Sequence, residues 1–225
     1  MILRFKFIKH GYVVYVGHLD VMRYFQKVIR RSGINAAYTE GFSPHLKLSF
    51  AQPLSVGVET DGDYFDLEMN ELPPMKELVS LMNRNCLEEM KIVSVTVLDE
   101  GVPNGMSSVK ASKYRFDYEK IDDNDVEVIK NFFNQDSYIL DYVRKDTQKT
   151  RDVIADVYDY EIDGNCLFAT LNSSSAGNMK ADILAEALEK FGFTEKLNDY
   201  RRIDLYTTDS EQKLIPLSSL GEKYD

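Results

Sequence analysis

The stretch ILRFKFIK, residues 2–9, alternates apolar and basic side chains, and it sets the fold class. One face of an extended chain would carry Leu3, Phe5 and Phe7, while basic residues lie on the other. The next long stretch, GHLDVMRYFQKVIRRSGI at residues 17–34, instead repeats its apolar residues at helical spacing. A strand followed by an amphipathic helix predicts an α+β domain.

The following segments continue this order. The run YVVYV, residues 12–16, predicts an extension of the first strand, and Asp61-Gly62 predicts a turn before the next long strand. A helix after Pro73-Pro74 and a strand over residues 90–99 complete the order β-α-β-β-α-β. This is the element order of ferredoxin-like domains.

The second half repeats the order. It includes a predicted strand SYILDYVRK at residues 137–145 and a predicted loop DTQKTRD at residues 146–152. We therefore predict two tandem ferredoxin-like (βαββαβ) halves with antiparallel sheets. The predicted boundaries are a first domain at 1–100, a linker at 100–111, a second domain at 111–208 and a flexible tail at 209–225.

Composition favours a soluble, cytoplasmic protein. Of the 225 residues 44% are hydrophobic, and no apolar run reaches the roughly 18 residues that cross a bilayer. Cys86 and Cys166 are far apart in apolar contexts, which indicates buried thiols and no zinc site. No phosphate-loop, dinucleotide or nucleophile-elbow motif appears, so no cofactor is predicted. With two cysteines the chain also lacks the iron–sulfur triad of a radical SAM enzyme.

Charge is distributed unevenly. Residues 1–50 contain eight Lys and Arg against two acidic residues, a net of +6, so the rest must carry −16 to reach the total of −10. The three histidines also lie in this first part. This asymmetry favours a local basic patch for an anionic partner, and the alternative is a solvated helix face.

The predicted first helix carries most of this patch. Arg23, Lys27, Arg30 and Arg31 are spaced i, i+4, i+7 and i+8, so they share one helix face. Such a stripe is relieved of its repulsion by a phosphate backbone. Pairing with acidic residues of this chain is the alternative. His18, just before the helix, is a candidate acid, base or phosphate ligand, or else a structural cap.

The stretch YTEGFSPHLKLSF, residues 38–50, supplies the remaining candidates. Strand parity places His45, Lys47 and Ser49 on one solvent face, where they could hold a phosphate or carboxylate. Ser43 lies in the preceding turn, and Phe42 at the tip could stack on a base or fill the core. We expect this stretch to form one wall of an anion site opposite GHLDVMR.

These residues resemble the bacterial radical SAM-linked protein family. The shared positions are Phe7, Lys9, Gly11, His18, Leu19, Asp20, Arg23, Arg30, Arg31, Gly33, Gly41, Phe42, Pro44, His45, Leu48, Ser49, Phe50 and Gly57. The family pattern has Ser, Asn and Pro where this chain has Gly17, Ser43 and Leu46. The resemblance is dense over residues 3–70. It implies a domain fused to or encoded beside cobalamin-type radical SAM proteins, with no established activity.

Three functions follow from these observations. The first is a non-catalytic RNA-binding or substrate-presenting partner of a radical SAM enzyme that modifies tRNA or rRNA. The second is a metal-independent RNA-processing or small-group transfer enzyme that uses His18 or His45 as acid or base. The third is a protein-interaction module that binds no nucleic acid.

Overall fold

The computed structural model describes residues 1–144, 146–175 and 177–225, and it shows an α+β protein with a large, mostly antiparallel sheet. Its strands are β1 (Ile2–Lys9), β2 (Leu48–Phe50), β3 (Glu59–Glu68), β4 (Ile92–Leu98), β5 (Ala111–Tyr118), β6 (Ile139–Arg144), β7 (Thr147–Asp152), β8 (Val157–Asp163), β9 (Cys166–Asn172), β10 (Leu197–Thr208), β11 (Leu214–Pro216) and β12 (Gly221–Tyr224). Its helices are α1 (His18–Ser32), α2 (Met75–Asn83), α3 (Gly105–Ser108), α4 (Asp123–Phe133) and α5 (Ala181–Phe191).

The chain divides into two compact units. Unit 1 contains residues 1–110 and 202–225, and unit 2 contains residues 111–201. The boundary therefore cuts through β10, and residues 202–208 belong to the first unit although the sequence had placed them in the second domain. Pairing decides this, because strand partners distant in sequence hold these residues.

The core of unit 1 forms between the sheet and helices α1 and α2. In the sheet β12, β4, β1 and β3 lie side by side, with β2 and β10 also against β3. Leu3, Phe5 and Phe7 are buried as the alternation predicts, and the rings of Phe5 and Phe65 stack at 4.9 Å. From α1, Phe25 packs its ring 4.8 Å from that of Phe65. Strand parity therefore seats α1 on the apolar face of β1.

The opposite face of β1 is also covered, which the sequence did not indicate. Arg4 is 1% exposed, and it forms a bidentate ion pair with Asp66 on β3 at 2.8 and 2.9 Å. The backbone N–H of Gly105, the first residue of α3, donates to the same carboxylate at 2.7 Å. The predicted linker thus contributes a helix that helps to bury this pair.

Two local predictions in unit 1 were wrong. Residues 12–16 do not extend β1, because Gly11 has a φ of +60° and a 3-10 helix forms over Gly11–Tyr15. Asp61-Gly62 is not a turn, since both residues lie within β3, where its pairing with β1 shifts register. A Cβ at Gly62 would lie 2.7 Å from the carbonyl oxygen of Ile203. The glycine is needed there for close approach of two strands.

Unit 2 is built around residues 197–201 of β10, followed in the sheet by β5, β9 and β8. Helices α4 and α5 contribute the buried Phe132 and Leu188. The predicted loop at 146–152 is wrong, because Thr147–Asp152 pairs with β6 as a two-stranded sheet. Lys145, the last residue of the strand predicted at 137–145, lies outside the described residues.

The C-terminal segment is not the flexible tail that we predicted. Residues 214–216 pair with β10, and residues 221–224 pair with β4. Between them Leu217 is fully buried in a cluster with Tyr64 and Leu205. Along the part of the chain that the structure describes, no helix has both the length and the apolar character of a bilayer span.

Candidate functional site

Helix α1 presents an exposed basic face. It begins at His18, which the sequence placed just before the helix, and it ends, as predicted, where Gly33 adopts the left-handed conformation. Arg23, Lys27, Arg30 and Arg31 are all exposed. Arg23 pairs with Asp20 at 2.9 Å, in a contact open to solvent. Among the described residues, no carboxylate lies within 4.0 Å of Lys27, Arg30 or Arg31.

Three other cations of the first fifty residues are neutralised within the fold. Arg4 binds Asp66, and Lys6 binds Asp204 at 2.7 Å. Lys47 binds Glu68 at 2.9 Å. Internal pairing, which the sequence left open for α1, therefore applies to strand residues and not to Lys27, Arg30 or Arg31.

The loop at residues 38–50 is anchored at its base and exposed at its tip. The N–H of Thr39 donates to the carbonyl of His45 at 2.8 Å, and the N–H of His45 donates to the Thr39 hydroxyl at 3.0 Å. Ser43 and His45 are exposed, and the ring of Phe42 is fully exposed at the tip. Phe42 therefore does not fill the core.

The predicted anion wall of His45, Lys47 and Ser49 gains little support. All three side chains are exposed, while Leu46 and Phe50 between and beside them are buried. Lys47 and Ser49 line a groove of about 320 Å³ that also carries Asp66 and Glu68. Because Glu68 already pairs with Lys47, the groove has no surplus cation for an anion.

His18 lines a different and smaller cavity. Its ring is half-buried and meets the ring of Phe50 edge-on at 5.3 Å. The cavity is lined by Phe7, Lys9, Val16, His18, Val21, Phe50, Gln52, Pro53, Leu54 and Asp63. Its enclosed space of about 20 Å³ is enough for one water-sized group. Pro53 is exposed at its rim, so the cavity opens to the surface.

Lys9 is the buried cation among the residues that line this cavity. It is 4% exposed, and its Nζ donates to the carbonyl of Val14 at the long distance of 3.5 Å. No carboxylate among the described residues lies within 4.0 Å of it. Burial holds the pKa of Lys9 below its usual 10.5; Asp63 raises that pKa and Arg202 lowers it.

The carboxylate of Asp63 is engaged by other groups. Oδ1 of Asp63 accepts from Arg202 Nε at 2.8 Å and from Thr60 Oγ1 at 3.0 Å. Arg202 Nη2 donates to the same oxygen. Lys9, Arg202 and Asp63 therefore leave one positive charge in excess whenever Lys9 is protonated.

Neither Lys9 nor Asp63 was among the residues predicted to bind a ligand. Each of them shares a strand face with apolar residues. Lys9 continues the series Leu3, Phe5, Phe7 along the buried face of β1, and Asp63 pairs opposite Phe7 on β3. A charged residue that continues an apolar face is a candidate for a buried functional group.

His18 and His45 belong to different features of the described structure. His18 lines the Lys9 cavity, whereas His45 does not, and no ring contact or hydrogen bond joins them in the described structure. In the described residues no group of three or more His, Cys, Asp or Glu side chains is arranged to hold a metal.

Comparison with known proteins identifies a family for this chain and gives no activity. No curated protein sequence matches the chain. Among solved structures, it resembles one chain of the "Crystal Structure of a Cbf5-Nop10-Gar1 Complex", with 13% identity and a TM-score of 0.45. That alignment covers 89% of this chain and 49% of the other, so this chain spans about half of that chain's length. A likeness this distant says nothing about activity.

The family comparison covers much more than the dense resemblance at residues 3–70. Residues 3–181 match the family described as "Uncharacterized protein conserved in bacteria (DUF2344)". The match thus covers residues 3–110 of unit 1 and residues 111–181 of unit 2. The chain belongs to this bacterial family.

Proposed function

We propose that the chain is a non-catalytic RNA-binding protein whose contact with phosphate is made by the exposed face of α1. The observation that carries the proposal is that Lys27, Arg30 and Arg31 are exposed and have no carboxylate within 4.0 Å among the described residues. Lys27 to Arg31 spans about 6 Å along a helix axis, so the three charges are close enough to repel one another. A phosphate backbone relieves that repulsion.

The exposed ring of Phe42 supports RNA over a simple anion. A fully exposed phenylalanine costs solvation free energy in the unbound protein. Stacking of a base on such a ring contributes about 1–3 kcal/mol in single-stranded complexes. A basic helix and an exposed aromatic ring are the two kinds of contact that single-stranded RNA uses.

The proposed partner is a radical SAM enzyme that modifies tRNA or rRNA, and its name rests on the sequence resemblance alone. The chain itself would bind and present the RNA in the cytoplasm. His18 lines the small cavity whereas His45 lies in the loop at residues 38–50, so the two candidate acid–base groups belong to different features. This placement supports the binding role.

Salt-dependent RNA binding tests the proposal. Fluorescence anisotropy with labelled tRNA and with a single-stranded RNA is measured from low to high salt. We expect the variant Lys27→Gln/Arg30→Gln/Arg31→Gln to bind more weakly and to show a salt slope smaller by roughly two, at about 0.7 per lost phosphate contact.

A charge-matched variant provides the control. Lys130→Gln/Lys196→Gln/Lys213→Gln removes three exposed lysines, each within 4.0 Å of a carboxylate. It changes net charge by the same amount, so it should keep wild-type affinity and slope. Equal weakening by both variants would show non-specific attraction and refute a binding face on α1. Capture of a protein by α1 without RNA would favour the interaction module instead.

We also infer that each half of the chain is a ferredoxin-like unit. The strand order supports this: in each half the strands lie in the order fourth, first, third, second, as β4-β1-β3-β2 and β10-β5-β9-β8. The hairpin β6–β7 is an insertion in the second series, and β2 is only three residues long. The second half expressed as residues 111–201 should fold alone only if residues 197–201 suffice as its fourth strand.

A further inference from the structure

We propose that the cavity bounded by Lys9 and His18 binds a terminal oxygen of a carboxylate or phosphoryl group, with the Lys9 ammonium as its counter-ion. This site differs from the RNA contact on α1. Neither proposal depends on the other, because the cavity is lined by none of the exposed basic residues of α1.

The argument begins with an incomplete set of partners. A lysine ammonium has three N–H donors, and in the described structure Lys9 has one hydrogen bond, at 3.5 Å. Lysine is almost never fully buried unless its charge is paired. Lys9 is 4% exposed without a paired carboxylate among the described residues, and it lines a cavity that opens at Pro53.

Charge in the cavity points to an anion. Asp63 is the carboxylate among the lining residues, and its Oδ1 is shared by Arg202 and Thr60. The ammonium of Lys9 therefore lacks a dedicated counter-ion. The start of α1 adds to this, since Val16, His18 and Val21 line the same space and a helix N-terminus favours negative charge.

Size and lining define the ligand. Room for about one water-sized group admits one oxygen of the ligand, while the rest must lie at the rim. The rim carries Pro53 and Leu54, so an oxyanion attached to a small apolar group fits best. Inorganic phosphate and acetate are the simplest probes of the two oxyanion classes.

The test measures anion-dependent stability of the full chain. Thermal unfolding at pH 7 is followed against sodium phosphate and against sodium acetate, each compared with sodium chloride at equal ionic strength. We expect a saturable rise in Tm with at least one of the two oxyanions. Which of them acts identifies the ligand class. Equal shifts in chloride, or no saturable shift, would overturn the proposal.

Two variants locate the effect. Lys9→Met keeps the length of the side chain without its charge, and its apparent anion affinity should fall at least about tenfold. Lys47→Met removes an exposed lysine that pairs with Glu68 outside the cavity, and it should respond like wild type. A response retained in Lys9→Met would place the anion elsewhere and overturn the assignment.

A measurement on the wild-type chain covers the case in which Lys9→Met does not fold. The side-chain NMR signal of Lys9 is followed during titration with the same probes. Binding of an anion should raise its pKa and shift its signal in a saturable way, while the signal of Lys47 stays unchanged. A silent Lys9 signal at saturating probe would refute the role as counter-ion.

Discussion

Arg202 holds the carboxylate of Asp63 through its Nε, which donates to Oδ1 at 2.8 Å, and through Nη2. The two residues are 139 positions apart in the chain, and both are buried. Because this pair occupies the carboxylate, Lys9 is left as a buried cation with a single weak hydrogen bond. The Asp63–Arg202 pair therefore explains why, among the described residues, Lys9 has no carboxylate of its own in the cavity.

Loss of the Asp63 carboxylate should be strongly destabilising. Asp63→Asn removes the buried carboxylate that Arg202 and Thr60 bind and that lies beside Lys9, which costs about 3–5 kcal/mol. Denaturant unfolding measures the loss. The control is Glu68→Gln, which breaks the exposed pair with Lys47 and should cost about 1 kcal/mol or less. Similar costs for both variants would contradict the proposed importance of the buried pair.

Stability should rise with pH on account of Lys9. Its folded pKa is lowered, so between that value and the usual 10.5 the unfolded chain binds more protons than the folded one. The stabilising contribution is full above 10.5 and is lost as pH falls through the folded pKa. Asp63 and His18 line the same cavity and Arg202 bonds to Asp63, so the effect of Lys9 must be measured as a difference between two chains that share these groups.

The comparison uses wild type and Lys9→Met across pH 7–10. The difference in unfolding free energy isolates Lys9, because Tyr24 and Tyr64, whose burial raises their pKa, are present in both chains. At neutral pH Lys9→Met should be the more stable chain, since it removes a buried charge. A difference that does not change with pH would show that Lys9 does not titrate in this range.

Substitution at two glycines should have opposite effects. Gly62→Ala places a Cβ 2.7 Å from the carbonyl oxygen of Ile203, and we expect a loss of about 1–3 kcal/mol. At Gly17 an added Cβ meets no atom within 4 Å, and Gly17→Ser supplies an N-cap hydroxyl to α1. The free energy of unfolding should therefore rise by about 0.3 kcal/mol. Thermal unfolding of the two variants measures both. A neutral Gly62→Ala would mean that β3 and β10 can separate there.

The C-terminal segment should contribute to the stability of unit 1. Leu217→Ala empties a fully buried position beside Tyr64 and Leu205 and should cost about 2–5 kcal/mol. Lys213→Ala, at an exposed position in the same segment, is the control and should be nearly neutral. If Leu217→Ala unfolds like wild type, the segment is as dispensable as a flexible tail would be.

Local patterns were enough for the elements that bury one face. Leu3, Phe5 and Phe7 are buried as their alternation predicted, and α1 ends at Gly33. Local patterns did not predict the role of residues whose contacts are distant in the sequence. The sequence around Gly62 predicts a turn, but the structure shows that the glycine is required by the nearby carbonyl of Ile203. The sequence around Leu217 predicts a polar tail, but the strands on either side of Leu217 pair with β10 and β4.

The candidate site divides in the same way. Sequence spacing alone placed Arg23, Lys27, Arg30 and Arg31 on one face of α1, because helix geometry relates residues that are close in the chain. Only the tertiary structure decided which cations of the described residues are free of carboxylate partners and can bind an anion. Arg4, Lys6 and Lys47 pair with carboxylates that are between 21 and 198 residues away in the sequence. The tertiary structure likewise separated His18 from the groove of Lys47 and brought Lys9 beside the Asp63–Arg202 pair. Burial and charge pairing depend on distances in space, and a linear pattern does not contain them.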